Sequence, residues 1–152
     1  MIIDDSGRLD SVLHEILYSM QEMMHIIIID RDGILVTSLS RIEEECLEEI
    51  GEISVFSGAM FESAVAQGAC MDLGSVEFQL TEYSEGFLFG ISVGQGLLTV
   101  MTRKSVPIGN VFQVLKQYRD EICSLLSNYV ITDAPLTDEI KSLFASQDFE
   151  GI

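Results

Sequence analysis

A run of β-branched residues followed directly by a turn motif constrains this chain more than any other feature. The segment His25 to Ile29 leads into Asp30-Arg31-Asp32-Gly33, where Asp-Gly favours a tight hairpin. Residues Ile34 to Thr37 are then predicted to form the returning strand. Because Ile26 to Ile29 do not alternate with polar residues, we expect the first strand to be central and covered on both faces. Helices must therefore lie on both sides of the sheet.

Three other segments carry apolar residues at the three-and-four spacing of amphipathic helices. The three stripes are Leu9, Val12, Leu13, Ile16, Leu17 and Met20; Ile53, Phe56, Met60, Ala64, Gln67 and Met71; and Val111, Leu115, Tyr118, Ile122, Leu125 and Tyr129. The second helix is predicted to end near Gly74, and Pro107 lies near the start of the third.

Between the second and third helices, glycine-containing turns separate three strand candidates. They cover Val76 to Tyr83, Phe87 to Val93 and Leu97 to Thr102, which is typical of a meander of short hairpins. In the first of them Val76, Phe78 and Leu80 alternate with polar residues, which indicates an edge strand. The order α-β-β-α-β-β-β-α predicts an α+β fold with a five-stranded antiparallel sheet layered between helices.

Charge excludes several classes of partner. The chain has 25 acidic and 8 basic residues, a formal net charge of −17, which repels nucleic acid and anionic lipid. Six glutamates fall between Glu43 and Glu52, predicted as an acidic connector before the second helix. This cluster is either a solvated helix face or a surface that steers a basic partner.

The sequence favours a cytoplasmic protein without membrane insertion. Its longest apolar run, Ile26 to Ile29, is too short to cross a bilayer, and Asp4 and Asp5 do not fit a secretory signal. The three cysteines, Cys46, Cys70 and Cys123, are far apart and are predicted to be reduced core thiols.

Residue patterns for catalysis, cofactors and metals are missing from the sequence. No Gly-x-x-x-x-Gly-Lys-Ser/Thr loop is present, so we expect the chain not to bind nucleotide by the usual GTPase route. His14 is predicted to be exposed and His25 to be buried in a strand. Asp30 and Asp32 lack the later ligands of a calcium loop, and Gly94 and Gly96 fit a turn better than a phosphate cradle. We therefore predict no enzyme activity and no cofactor.

Three motifs together resemble the Roadblock domain over roughly residues 8 to 128. They are the strand-turn-strand HIIIIDRDGILVTS, the small-residue helix SGAMFESAVAQGACMDLG and the helix start VPIGNVF. The resemblance implies a Roadblock/longin-like fold with one long helix on one face of the sheet and two on the other. It divides the chain into an N-terminal extension (1–7), the domain (8–129) and a tail (130–152).

The resemblance also implies a homodimer, or a heterodimer with a paralogue, in which third strands pair across a twofold axis and middle helices pack together. The residues that would form this interface are Val76, Phe78 and Leu80 of the strand, and Gly58, Ala59, Ser63 and Ala66 of the helix. Glycine inside a helix costs roughly 1 kcal/mol relative to alanine. The small residues are therefore explained either by a second helix or by tight packing on the domain's own sheet.

The tail adds a short amphipathic stripe of Leu136, Ile140, Leu143 and Phe144. With it, the chain most resembles the MglB-type bacterial polarity regulators, which partner a Ras-like GTPase. The tail would either dock on the domain or be captured by the partner. Such regulators rearrange the GTPase's own catalytic residues, so the basic pair Arg103-Lys104 is not expected to act as an arginine finger.

Two further hypotheses come from other classes of protein. An adaptor would link subunits of a larger complex whether or not the partner holds GTP. A small-molecule sensor would carry a ligand-sized apolar cavity, because layered sheets of this kind also occur in ligand-binding domains.

Overall fold

The computed structural model describes residues 2–41 and 47–128, with the side chains of residues 7–41 and 50–128. Its elements in chain order are α1 (Ile2–Tyr18), β1 (Met23–Asp30), β2 (Leu35–Ser40), α2 (Leu47–Cys70), β3 (Phe78–Glu82), β4 (Gly86–Ser92), β5 (Gly96–Arg103) and a third helix, α3, over residues 108–128. The predicted order of elements is confirmed.

The strands form one antiparallel sheet in the order β2-β1-β5-β4-β3. The predicted central strand β1 lies between β2 and β5, as its continuous apolar run requires. β3 lies at one edge and pairs with β4 alone among the described strands, so the predicted edge strand is confirmed.

Helices cover both faces of the sheet. α1 and α3 pack on one face, where Ile26 and Ile28 of β1 meet Leu13 and Leu115 in the main core. α2 lies on the other face, where Ile50 and the half-buried Phe61 meet a smaller cluster. The sheet residues of that second cluster are Ile27, Ile29, Leu35 and Leu97. Alternation along β1 thus sends successive isoleucines to opposite layers.

The β1–β2 turn shows why Asp and Gly occur where they do. The carboxylate oxygen Oδ1 of Asp30 accepts the backbone N–H groups of Asp32 and Ile34, both at 2.9 Å. Gly33 has φ of +80°, a left-handed conformation that side chains disfavour. The predicted hairpin is therefore held by local hydrogen bonds that the sequence itself encodes.

Several element boundaries differ from the sequence-based prediction. α1 begins at Ile2, so helix occupies most of the segment predicted as an N-terminal extension. α2 begins at Leu47, which places Glu48, Glu49 and Glu52 in the helix and not in a connector. β3 begins at Phe78, so Val76 precedes it. The acidic run was interpreted as a connector because its apolar partners are few; the helix is fixed by packing of Ile50 and Ser54.

Candidate protein-binding face

The α2 face of the sheet is only partly covered by α2. Pairing across the sheet aligns Ile27, Thr99, Gly90 and Gln79 in one row on this face. α2 packs over the β1 end of the row, whereas Gln79 and its neighbours on β3 and β4 have no helix above them among the described residues. The opposite face carries two helices, so half of the α2 face is left without a matching layer.

Beside this uncovered half, α2 exposes large apolar side chains. Val55 is 62% exposed, Phe56 65% and Met60 42%. Ala59, Ser63 and Ala66 are exposed on the same side of the helix. We call these six residues the α2 outer face. Contiguous apolar exposure of this kind marks a binding surface more often than a solvated one.

The four predicted helix residues of the dimer interface do not share one environment. Ala59, Ser63 and Ala66 point outward, but Gly58 packs inward against the β1–β2 turn. A Cβ atom on Gly58 would lie 3.1 Å from the Cα of Gly33 and 3.6 Å from Ile29 Cδ1. Close packing within the chain therefore accounts for this glycine, while the three others remain candidates for a contact between chains.

The predicted strand residues are also divided. The Phe78 ring contacts Phe112 of α3 with centroids 4.9 Å apart, so it belongs largely to the chain's own core. Leu80 is 41% exposed near the free edge of β3. Val76 is half-buried before the strand begins. Replacing Phe78 by Asp would damage the fold as well as any interface, so it is a poor test of dimerisation.

Sequence analysis missed the role of Phe56 and Met60. Both were placed on a stripe facing the sheet, but α2 buries Ile50, Ser54 and Ser57 there. The Ser54 hydroxyl donates to the Ile50 carbonyl at 2.8 Å, which lets a polar residue lie against the sheet. The available signal was that apolar residues occur around the whole circumference of α2, which leaves its inward side ambiguous.

The histidines and described cysteines show no catalytic arrangement. His14 is exposed and stacks on Tyr18 at 4.2 Å, and the His25 Nδ1 atom lies 2.8 Å from the Ser40 hydroxyl. Burial raises the pKa of the Cys123 thiol, which keeps it protonated and unreactive. Cys70 is exposed, so the prediction that it is a core thiol was wrong: α2 turns its last residue to solvent.

Cation and metal chemistry add little to this surface. The Lys104 ammonium donates to Glu82 at 2.6 Å and to the Tyr83 carbonyl at 2.8 Å, so it holds the β3–β4 turn. Over residues 2–41 and 47–128, no cluster of three His, Cys, Asp or Glu side chains could hold a metal ion. No helix within those ranges is long and apolar enough to cross a membrane.

Comparison with known proteins identifies the family. Residues 7–131 match the family model described as mitogen-activated protein kinase kinase 1 interacting. The chain belongs to this family. A search of curated proteins found no match to this member of the kinase kinase 1 interacting family.

Solved structures confirm the predicted Roadblock resemblance. The gliding protein MglB of Thermus thermophilus is 14% identical with a TM-score of 0.73, covering 82% of this chain and 92% of its own. MglB of Myxococcus xanthus is 14% identical with a TM-score of 0.72, covering 80% and 96%. A Roadblock/LC7 domain from Streptomyces avermitilis is 11% identical with a TM-score of 0.68, covering 80% and 97%. The fold of this family member is thus of the Roadblock, MglB-like type.

The remaining predicted residues lie outside the described part of the chain. These are Glu43, Glu44, Glu45, Cys46 and Tyr129, together with the tail stripe of Leu136, Ile140, Leu143 and Phe144.

Proposed function

We propose that the protein is a dimeric, non-enzymatic scaffold that binds and regulates a small Ras-like GTPase. The observation that carries the proposal is the half-covered α2 face beside the exposed apolar side of α2. A second copy can place its own α2 over β3 and β4, where it would meet Met60 and Gln79. A twofold axis makes the contact self-complementary, because each chain both donates a helix and lacks one.

The free edge of β3 supports the same arrangement. An unpaired edge strand is a template for pairing with another chain, and Leu80 adds an exposed apolar side chain near it. Pairing of β3 with its counterpart would extend the sheet across the axis and bring the two α2 helices together. The partner copy is this chain itself or a Roadblock paralogue.

Regulation of a GTPase is supported by what the chain resembles and by its charge. MglB proteins share its fold, and the sequence has no phosphate-binding loop of its own. A net charge of −17 attracts a basic surface on a partner. We infer a cytoplasmic regulator that binds one switch state of the GTPase more tightly and shifts the partner toward it.

The regulator hypothesis predicts an effect on turnover without nucleotide binding by this chain. Purified protein should not retain GTP, yet should change GTP hydrolysis or exchange by a cognate Ras-like GTPase about tenfold, a usual size for coupling between sites. Single-turnover hydrolysis and fluorescent-nucleotide release measure both rates. The hypothesis would be abandoned if the chain bound GTP stoichiometrically by itself.

The adaptor hypothesis has one specific observation in its favour. The family is named for interaction with mitogen-activated protein kinase kinase 1, which is a link between proteins and involves no nucleotide switch in its name. A pull-down with the GTPase loaded with GTP or with GDP separates the two functions. Equal capture of both forms favours the adaptor, and a preference for one form favours the regulator.

Deletion of residues 133–152 tests the part played by the tail. Because α1, α2, the five strands and residues 108–128 of α3 all precede the cut, the truncated protein should keep its melting temperature and its dimer. Its effect on GTPase turnover should fall several-fold if the partner captures the tail. A large fall in melting temperature with unaltered regulation would instead assign the tail to the domain's own core.

A further inference from the structure

A deep apolar groove lies between the N-terminal half of α2 and the sheet. Its volume is about 490 Å³, with Ile27 and Thr99 on the floor and Ile50 and Ser57 of α2 above them. Tyr83 is among the residues at the β3–β4 end of the groove. This volume falls within the roughly 300–1,000 Å³ of small-molecule sites. The dimer proposed above does not by itself require such a space.

One buried polar atom is left unsatisfied on the floor of this groove. The hydroxyl of Thr99 has no hydrogen-bond partner among the described residues, and the side chain is buried, with the residue 3% exposed. An unpaired buried hydroxyl costs about 1–3 kcal/mol, a cost that valine, of the same shape, would avoid. Threonine at the centre of an apolar floor therefore points to a ligand group that completes its hydrogen bond.

We infer that the groove binds an uncharged, mainly apolar small molecule whose single hydrogen-bonding group reaches Thr99. The apolar floor and roof exclude a charged group, because a buried charge needs a partner and the floor residues Ile27 and Thr99 offer none. The net charge of −17 further disfavours an anion. This inference goes beyond the proposed function, since it needs neither the GTPase nor a particular dimer.

The inference is tested with two aromatic probes that differ only in the group aimed at Thr99. 2-Naphthol carries a hydroxyl where 2-methylnaphthalene carries a methyl group, and both are neutral at neutral pH. Each competes with the neutral dye Nile red, whose fluorescence rises on entering an apolar site. The full-length protein is used in its own oligomeric state. We expect both probes to displace the dye.

Thr99→Val should weaken 2-naphthol binding about five- to tenfold and leave 2-methylnaphthalene within about twofold, because one hydrogen bond is lost while shape is kept. Its melting temperature should not fall, since no bonded group is removed. Thr81→Val on β3 is the matched control: it lies on the same face but outside the groove, and should change neither affinity.

A second variant tests the groove without touching the hydroxyl. Ser57→Phe places a ring from α2 into the space and should abolish displacement by both probes. The inference is overturned if the wild-type protein does not bind Nile red, or if Thr99→Val lowers the affinity of both probes equally or of neither. It is also overturned if Ser57→Phe, folded by circular dichroism, binds both probes unchanged.

Discussion

Ala59→Glu is expected to convert the dimer into a monomer while leaving the melting temperature of the monomeric unit unchanged. Ala59 is exposed at the middle of the α2 outer face, so the new carboxylate is solvated in the isolated chain. In the proposed dimer it would be buried beside its symmetry mate, and an unpaired buried charge costs several kcal/mol. The dissociation constant should rise by more than about a hundredfold.

Sedimentation velocity over a range of concentrations measures this shift, and thermal unfolding monitored by circular dichroism confirms the fold. Ala69→Glu is the matched control, because Ala69 is exposed on the same helix but turned away from Met60 and the uncovered half of the sheet. It should leave the dimer intact. If Ala59→Glu sediments as wild type, α2 is not the contact between chains.

Gly96→Ala is expected to lower the free energy of unfolding by about 3 kcal/mol or more. Gly96 opens β5 opposite Asp30, where the two central strands approach closely. A Cβ atom here would lie 2.5 Å from the Ile29 carbonyl oxygen and 3.3 Å from Leu126 Cδ1 of α3. The side chain of Leu126 can move, but the Ile29 carbonyl belongs to the β1 backbone, so the strands must separate.

Urea unfolding at equilibrium gives this difference directly, provided that the slope with denaturant is unchanged. Gly109→Ala is the control: it lies in the first turn of α3 with no atom within 4 Å of its added Cβ. Since alanine is the better helix former, that variant should be neutral or more stable by up to about 1 kcal/mol. Equal stabilities for the two variants would show that the strands accommodate a Cβ at Gly96 without cost.

The sheet was predictable because its signals are local. The Asp30 carboxylate and Gly33 make the first turn by themselves, and alternation separates Phe78 from Gln79 on β3. The α1 and α3 stripes were predictable for the same reason, since residues such as Val12 and Leu115 are apolar among polar neighbours and are fully buried. Boundaries were less accurate because helix ends depend on packing, as for Ile50 in α2.

The candidate site was only partly predictable. Small residues on α2 indicated close approach of another segment, but composition could not say whether that segment belongs to the same chain, as at Gly58, or to another, as proposed at Ala59. The exposure of Phe56 depends on how the helix is rotated about its axis. That rotation is set by Ser54 and Ser57 fitting against the sheet, a matter of shape that hydropathy does not record.

The pairing of β1 with β5 also governs how the chain must fold. These neighbours at the centre of the sheet come from opposite ends of the domain, with Asp30 beside Gly96 and His25 beside Met101. During synthesis the β1–β2 hairpin emerges with one flank of β1 unpaired, and it stays so until β5 has left the ribosome. Closing that long loop carries an entropic cost before its contacts form, so folding should be slower than the many helical residues suggest. In the interval, the apolar flank of β1 is the part of the nascent chain most exposed to misassembly or chaperone capture.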